Sequence, residues 1–270
     1  ADGLQISHEP IRVVRGRTDL FEYGRGAFAT RLAVMAGSAA AIATEALAEK
    51  ARRVAAHEFK VSFEEVELVE GGVEVRENRA QRLTLGEIAQ LLEPMNAAAM
   101  KEEPGFSADG WFRTDHMTYP YGLHAAVVSI DRETGHLAIE RFIVGYDVGR
   151  ALNPTLVEGQ ITGGVAQGIG GAVYEEFLYS EDGTPLCTTF MDYLIPTVRE
   201  MPDVEILLTE DAPSPLNPLG VKGAGEGGTT AVAAAIGSAV DDALRIPGAI
   251  TSVPIRPLLL RRLVDQVSIP

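Results

Sequence analysis

The chain has a single cysteine, Cys187, in 270 residues. A lone thiol closes no internal disulfide and builds no metal cage or iron–sulfur site by itself, so a cytoplasmic setting is expected, with any metal arriving on a cofactor or a partner. Basic residues are scarce too: 23 Lys and Arg against 38 Asp and Glu give a formal charge of −15. A phosphate track needs clustered cations, which argues against nucleic acid as a partner. No apolar run approaches the roughly 20 residues that cross a bilayer, and the start, Ala1-Asp-Gly-Leu-Gln-Ile-Ser7, does not read as a signal peptide. An initiating Met is lacking, and the chain runs directly into Pro10-Ile-Arg-Val-Val14, which reads as a strand, so the start is expected to be cut from something longer. The five histidines never fall at His-x-x-x-His or Cys/His spacing. Each is expected to be a surface or packing residue rather than a metal ligand.

What is present alternates between helical and strand-like patterns. From about Arg31 to His57 the chain is Ala-rich, with Leu, Val, Ile and Met at helical spacing. Val66–Val69 and Val73–Val75 flank Gly71-Gly72 as a hairpin, and Thr84-Leu-Gly-Glu87 is a capping box opening a short helix to Leu92. Residues 93–123 hold several Pro and Gly and read as a connecting segment. Beyond it, Ala125–Asp131 and Leu137–Val144 form a second hairpin around Thr134-Gly135, and a Gly-rich helical stretch follows Pro154. Val204–Leu208 reads as a strand, 211–228 as a Pro/Gly loop, Thr229–Leu244 as a helix, with a last helix after Pro257. Separate hairpins and helices predict an α+β fold, not a doubly wound parallel sheet, in two α+β subdomains, 1–110 and 111–270.

Three glycine-rich segments are the places where chemistry can sit. Lys222-Gly-Ala-Gly-Glu-Gly-Gly228 sets four glycines and one carboxylate, Glu226, just before a helix. Glycine lets a ligand press against the backbone, and the free N–H groups of a helix start favour an anion. On these residues alone Glu226 reads first as an acid capping the helix, since acids at helix starts are common. Glu158-Gly-Gln-Ile-Thr-Gly-Gly-Val-Ala-Gln-Gly-Ile-Gly-Gly171 carries six glycines in a helical run. Each costs about 1 kcal/mol relative to Ala, so close packing against a ligand or a neighbouring helix is expected. Gln160 and Gln167 can present amides there, or serve helix packing. Gly24-Arg-Gly-Ala-Phe-Ala-Thr-Arg31 is a turn whose amides and Arg31 can hold phosphate. Asp147 and Asn153, at the end of a strand, are expected to fix a turn. Cys187 reads as a buried, inert thiol.

In this order the segments resemble the large subunit of the xanthine-oxidase family of molybdenum hydroxylases, which includes xanthine dehydrogenase, aldehyde oxidoreductase and aerobic carbon monoxide dehydrogenase. The resemblance is carried by Ala29–Gly37, Asp147–Pro154, Glu158–Gly170 followed by Glu175-Glu176, Asp192-Tyr-Leu-Ile-Pro196 and Lys222-Gly-Ala-Gly-Glu226, and runs over essentially the whole chain. It implies the C-terminal molybdenum-cofactor-binding domain of that subunit, with Glu226 beside the metal as general base of an oxidative hydroxylation that uses water as oxygen source. It further implies that Ala27, Phe28, Ala29, Thr30 and Arg31 form the pterin-binding turn, that Gln160 and Gln167 lie along the cofactor, and that Lys222, Gly223 and Gly225 belong to the same cradle. Thr30 stands where family members commonly have Ser, which keeps the hydroxyl. The implied cofactor is molybdenum–molybdopterin, plain or as the cytosine dinucleotide, with iron–sulfur centres and FAD only on partner chains. The implied substrate is an aldehyde, a heterocycle or a related small molecule. A full subunit is several hundred residues longer, so activity is expected only with the remaining N-terminal part and the electron-transfer subunits. Two other readings stay open: a non-catalytic structural or assembly fragment that binds a partner subunit, and a phosphate or nucleotide binder built on the glycine turns.

Overall fold

The structure, a computed structural model, describes residues 1–20 and 23–266. Two compact units divide it: Ala1–Ala27 with Leu32–Asp115, and Phe28–Arg31 with the chain from His116 onward. The sequence expectation cut the chain at 110/111 and left Phe28–Arg31 in the first half. The structure assigns that four-residue segment to the second unit, and the reason is local: Thr30 is packed against Gly223.

The first unit is one long helix on a small sheet. A π-helical turn, Ala33–Gly37, leads into α1 (Ser38–Phe59), whose many alanines are the strongest helix formers available. Its Ala51, Val54 and Ala55 face a core shared with the antiparallel meander β1 (Val66–Val69), β2 (Gly72–Val75) and β3 (Asn78–Thr84). The hairpin at Gly71-Gly72 is formed. Thr84 and Glu87 cap α2 (Leu85–Leu91) reciprocally, Glu87 N–H donating to Thr84 Oγ1 at 3.2 Å and Thr84 N–H to Glu87 Oε2 at 2.8 Å. Two expectations change here. Pro10–Val14 belongs to no strand; Val13 is 79% exposed, and β propensity without a ladder partner or a core to face does not make a strand. The segment expected to be irregular holds a short helix, α3 (Pro94–Met100), started by Pro94 at its first turn and fixed by buried Ala97.

The loop after α3 is tied down by one charge. Lys50 of α1 is buried, and its ammonium donates to the carbonyls of Glu103 and Gly105 at 2.9 and 2.7 Å. Lys50→Met keeps the aliphatic stem and removes both bonds, and is expected to cost about 3 kcal/mol. Denaturant unfolding and faster amide exchange in residues 102–106 report it; an unchanged midpoint would sink the assignment.

The second unit sets three helices against a mixed sheet. The strands β4 (Tyr121–Ile130) and β5 (Leu137–Asp147) form the expected hairpin, and β6 (Val204–Thr209) pairs parallel to β5, giving the order β4-β5-β6. α4 (Pro154–Ile169), ending in a π-helical turn at Gly170–Tyr174, supplies Ile161, Val165 and Ile169 to the core. α5 (Val232–Leu244) adds Val232, Ile236 and Val240, and α6 (Pro257–Gln266) adds Leu260 and Val264. Alternation along β5 turns Phe142, Val144 and Tyr146 into that core. Asn153 caps α4, its Oδ1 accepting from Leu156 N–H at 3.1 Å, which is the turn-fixing role expected of it. Cys187 is buried, as expected, in a loop, its thiol donating to the Glu176 carbonyl. No helix among the described residues is long and apolar enough to cross a membrane.

Candidate functional site

The sheet delivers its strand ends to one place. At the C-terminal end of β5 the Asp147 carboxylate is buried and accepts from Gly149 N–H (2.9 Å), Ala212 N–H (3.1 Å), Thr209 hydroxyl (3.3 Å) and the Lys222 ammonium (2.8 Å). One carboxylate thus joins the ends of β5 and β6 to both ends of the 211–222 loop. Burial alone would raise its pKa; the bonds from Lys222, Gly149 and Ala212 outweigh burial and hold it at about 2. Lys222 is shifted upward despite its own burial, because side-chain hydrogen bonds and charge interactions with Asp147 and Tyr121 favour the charged form; its Nζ also lies 3.9 Å from the centre of the Tyr121 ring. The Lys222 N–H also donates to the Val148 carbonyl at 2.8 Å. Lys222, expected in the cofactor cradle, therefore spends its charge inside the protein, and its part is to anchor the loop that follows.

That loop runs Gly223-Ala-Gly-Glu-Gly-Gly228. Gly223 is buried, and a methyl group in place of its hydrogen would overlap Thr30 Oγ1 and Cβ. Next to it, a methyl on Gly225 would lie 3.5 Å from Gln160 Oε1 and 3.8 Å from Thr30 Cγ2. Thr30, Gln160, Gly223 and Gly225 are therefore brought together. Gly228 backs onto α4 at Ile161 and Gly164, and Thr229 hydroxyl donates to the Gly164 carbonyl at 2.9 Å. The glycines of α4 divide accordingly: Gly164 and Gly168 admit Gly228 and Val232 at close range, whereas Gly159 and Gly163 face open space. Gln160 and Gln167 are exposed on α4.

Glu226 itself is exposed, and among the described residues its carboxylate makes no hydrogen bond or ion pair, although its backbone carbonyl accepts from Thr229 N–H at 3.1 Å. Helix α5 starts at Val232 with Ala231 as a cap that makes no side-chain bond. The reading of Glu226 as a capping acid thus finds no bond in the structure. The 28–31 segment is a tight turn, Arg31 N–H donating to the Phe28 carbonyl at 3.2 Å, with Ala29 and Thr30 both left-handed at φ 48° and 54°. Two consecutive non-glycine residues there, one β-branched, store strain of about 1–2 kcal/mol each, and such strain clusters at ligand-binding turns. Phe28 is half exposed, with the Arg31 guanidinium 4.8 Å from its ring centre. Ala27 falls in the first unit and is exposed. No group of three or more His, Cys, Asp or Glu among the described residues is placed to hold a metal ion.

Two residues that the sequence reading left aside support the loop. His124 Nε2 lies 3.1 Å from the Gly227 carbonyl, and burial lowers its pKa, so the neutral ring donates that bond. Tyr146 has its ring against Gly227. The signal that could have found them is the alternation of β4 and β5, which turns both toward the covered face.

Comparison with known proteins shows the family and the fold. The family model for the molybdopterin cofactor-binding domain matches residues 1–202. The 6-hydroxypseudooxynicotine dehydrogenase complex subunit gamma of Paenarthrobacter nicotinovorans is 46% identical over 244 residues, 90% of this chain and 31% of that protein. Among solved structures, reconstituted CO dehydrogenase from Oligotropha carboxidovorans superposes with a TM-score of 0.85 at 31% identity, over 93% of this chain and 31% of that one. Quinoline 2-oxidoreductase from Pseudomonas putida 86 does so at 0.81 and 34% identity, over 90% and 31%. The chain spans about a third of the length of each.

Proposed function

Because the chain belongs to the molybdopterin cofactor-binding family of the molybdenum hydroxylases, we propose that it forms the catalytic-base half of such an enzyme's cofactor site, with Glu226 as the base. The observation that carries the reading is the meeting of a strained 28–31 turn with a glycine loop whose one carboxylate is exposed and unspent. A cradle fits a large flat group in this way: Gly223 and Gly225 remove side chains, Thr30 and the turn amides offer donors, and Gln160 offers an amide. Gln167 extends the same polar edge along α4. Phe28 and Arg31 flank the turn, and Ala27 leads into it. When bound, the molybdenum–molybdopterin group, plain or as the cytosine dinucleotide, supplies the two-electron oxidation.

The chain's own residues do the rest. Converting a C–H bond to C–OH with water releases two electrons and two protons, so a proton acceptor must stand at the reacting oxygen. Glu226 carries the loop's one carboxylate, reaches solvent and is held by a loop anchored at Val148 and Gly227, which suits it to take that proton. The electrons leave through iron–sulfur and flavin subunits. The substrate is an aldehyde or a heterocycle; a neighbour named for quinoline supports the latter. Phe177, Tyr179, Leu186, Phe190, Met191 and Val198 are exposed within one stretch, a density of apolar surface that a partner chain or the rest of the large subunit would cover.

Gly223→Ala tests the cradle. The new methyl displaces the Thr30 side chain and the backbone beneath it, and overpacking of this kind costs about 1–3 kcal/mol. The assembled enzyme is expected to lose most of its molybdenum by metal analysis while its other subunits still co-purify. Full molybdenum content in a folded Gly223→Ala enzyme would contradict the assignment of this loop to the cofactor.

A further inference from the structure

A base must be held to within about half an ångström to work, yet Glu226 sits among four glycines, the residues with the most backbone freedom. Something outside the loop has to hold it. At one end Lys222 N–H is fixed to Val148, and at the other the Gly227 carbonyl is fixed to His124. Among the described residues, the hydrogen bond from the body of the unit to a loop carbonyl between these anchors comes from Tyr146, whose hydroxyl donates to Gly223 O at 3.5 Å. This bond is long, and the ring explains how it is made. Tyr146 lies opposite Gly122 in the β4–β5 ladder, and a methyl on Gly122 would overlap ring Cδ2. A methyl on Gly227 would overlap Cζ and the hydroxyl. Two glycines from separate segments thus leave room for one buried ring, which lies against the residue after Glu226 and reaches the carbonyl three residues before it. Burial, and secondarily the charge of Glu226, push the phenol's pKa up, in keeping with a neutral donor close to that carboxylate.

We infer that Tyr146 is a positioning residue for Glu226: its ring seats Gly227, its hydroxyl holds Gly223, and together they fix the curvature of the loop that aims the carboxylate. The inference deepens the assignment of Glu226 as base and rests on it for its catalytic consequence. The phenol acts through the backbone on either side of the base, at Gly223 and Gly227.

Tyr146→Phe keeps the ring and removes the hydroxyl, so the chain folds and the test stays readable. Amide exchange of residues 224–227 is expected to become about five- to tenfold faster, with Val73 and its neighbours in β2 unchanged. Loop exchange equal to wild type overturns the inference. A second readout works in the opposite direction: with tyrosines labelled at Cζ, the resonance that Tyr146→Phe removes is expected to titrate at lower pH in Glu226→Gln than in wild type. No movement would place the carboxylate away from the phenol and overturn the geometry. In the assembled enzyme, Tyr146→Phe is expected to lower kcat several-fold at unchanged KM. A Glu226→Gln enzyme that keeps its turnover would overturn the base assignment and with it the kinetic part, whereas loop exchange still decides whether Tyr146 holds the loop.

Discussion

Glu226→Gln in the assembled enzyme is expected to lower kcat by about a hundred- to ten-thousand-fold, the usual worth of a positioned general base, with molybdenum content and thermal stability unchanged. The pairing of a large kinetic effect with a negligible structural one follows from the site. The side chain is exposed and makes no hydrogen bond or ion pair among the described residues, so an isosteric amide removes proton affinity and little else. Surface substitutions of this sort stay within about 0.5 kcal/mol. An acid that merely capped α5 would behave in reverse, costing about 1 kcal/mol of stability and no turnover. Measuring kcat, metal content and Tm on one preparation separates the two. Glu226→Asp refines the test: it keeps the base but withdraws it by one methylene, so activity between wild type and Gln is expected. Full turnover in the Gln variant would end the assignment.

How much of this was readable beforehand depends on the range of each interaction. The hairpin at Gly71-Gly72, the Thr84–Glu87 capping box and the β4–β5 hairpin are set by neighbours a few residues apart, and the structure forms all of them. The parallel pairing of β6 with β5 joins segments some sixty residues apart, and nothing local encodes it. Pro10–Val14 shows the converse, since its residues suit a strand but find no partner. The candidate site divides in the same way. Glycine-rich segments flag themselves by composition, whereas the reason for Gly223, contact with Thr30, lies almost two hundred residues away. Asp147 was expected to fix a turn, and it does so through Gly149; its bonds to Ala212, Thr209 and Lys222 are long-range and were not legible. Tyr146 and His124 look like ordinary strand residues until the loop is folded over them.

Asp147→Asn is expected to be the most destabilising single change at the site. The substitution leaves the buried Lys222 ammonium facing a neutral amide, and breaking one side of a buried pair typically costs about 3–5 kcal/mol, enough to lower Tm by roughly 10 °C in a unit of this size. The pH dependence identifies the cause. Asp147 has its pKa depressed to about 2, so its contribution is fully present above the ordinary carboxylate value near 3.9 and is lost as pH falls through about 2. Lys222 is raised, so its share is intact below the ordinary lysine value and disappears only as pH climbs through the raised one. The stability gap between wild type and Asp147→Asn should therefore be flat from neutral pH down to about 5 and narrow steadily from about 4 toward 2. A gap that stays constant across that interval would assign the loss to packing instead of charge. Function follows the same anchor. With the Lys222 ammonium released, the start of the loop keeps only its backbone bond to Val148, and Glu226 is expected to lose aim before the unit unfolds, so kcat of the assembled enzyme should fall at temperatures well below the lowered Tm.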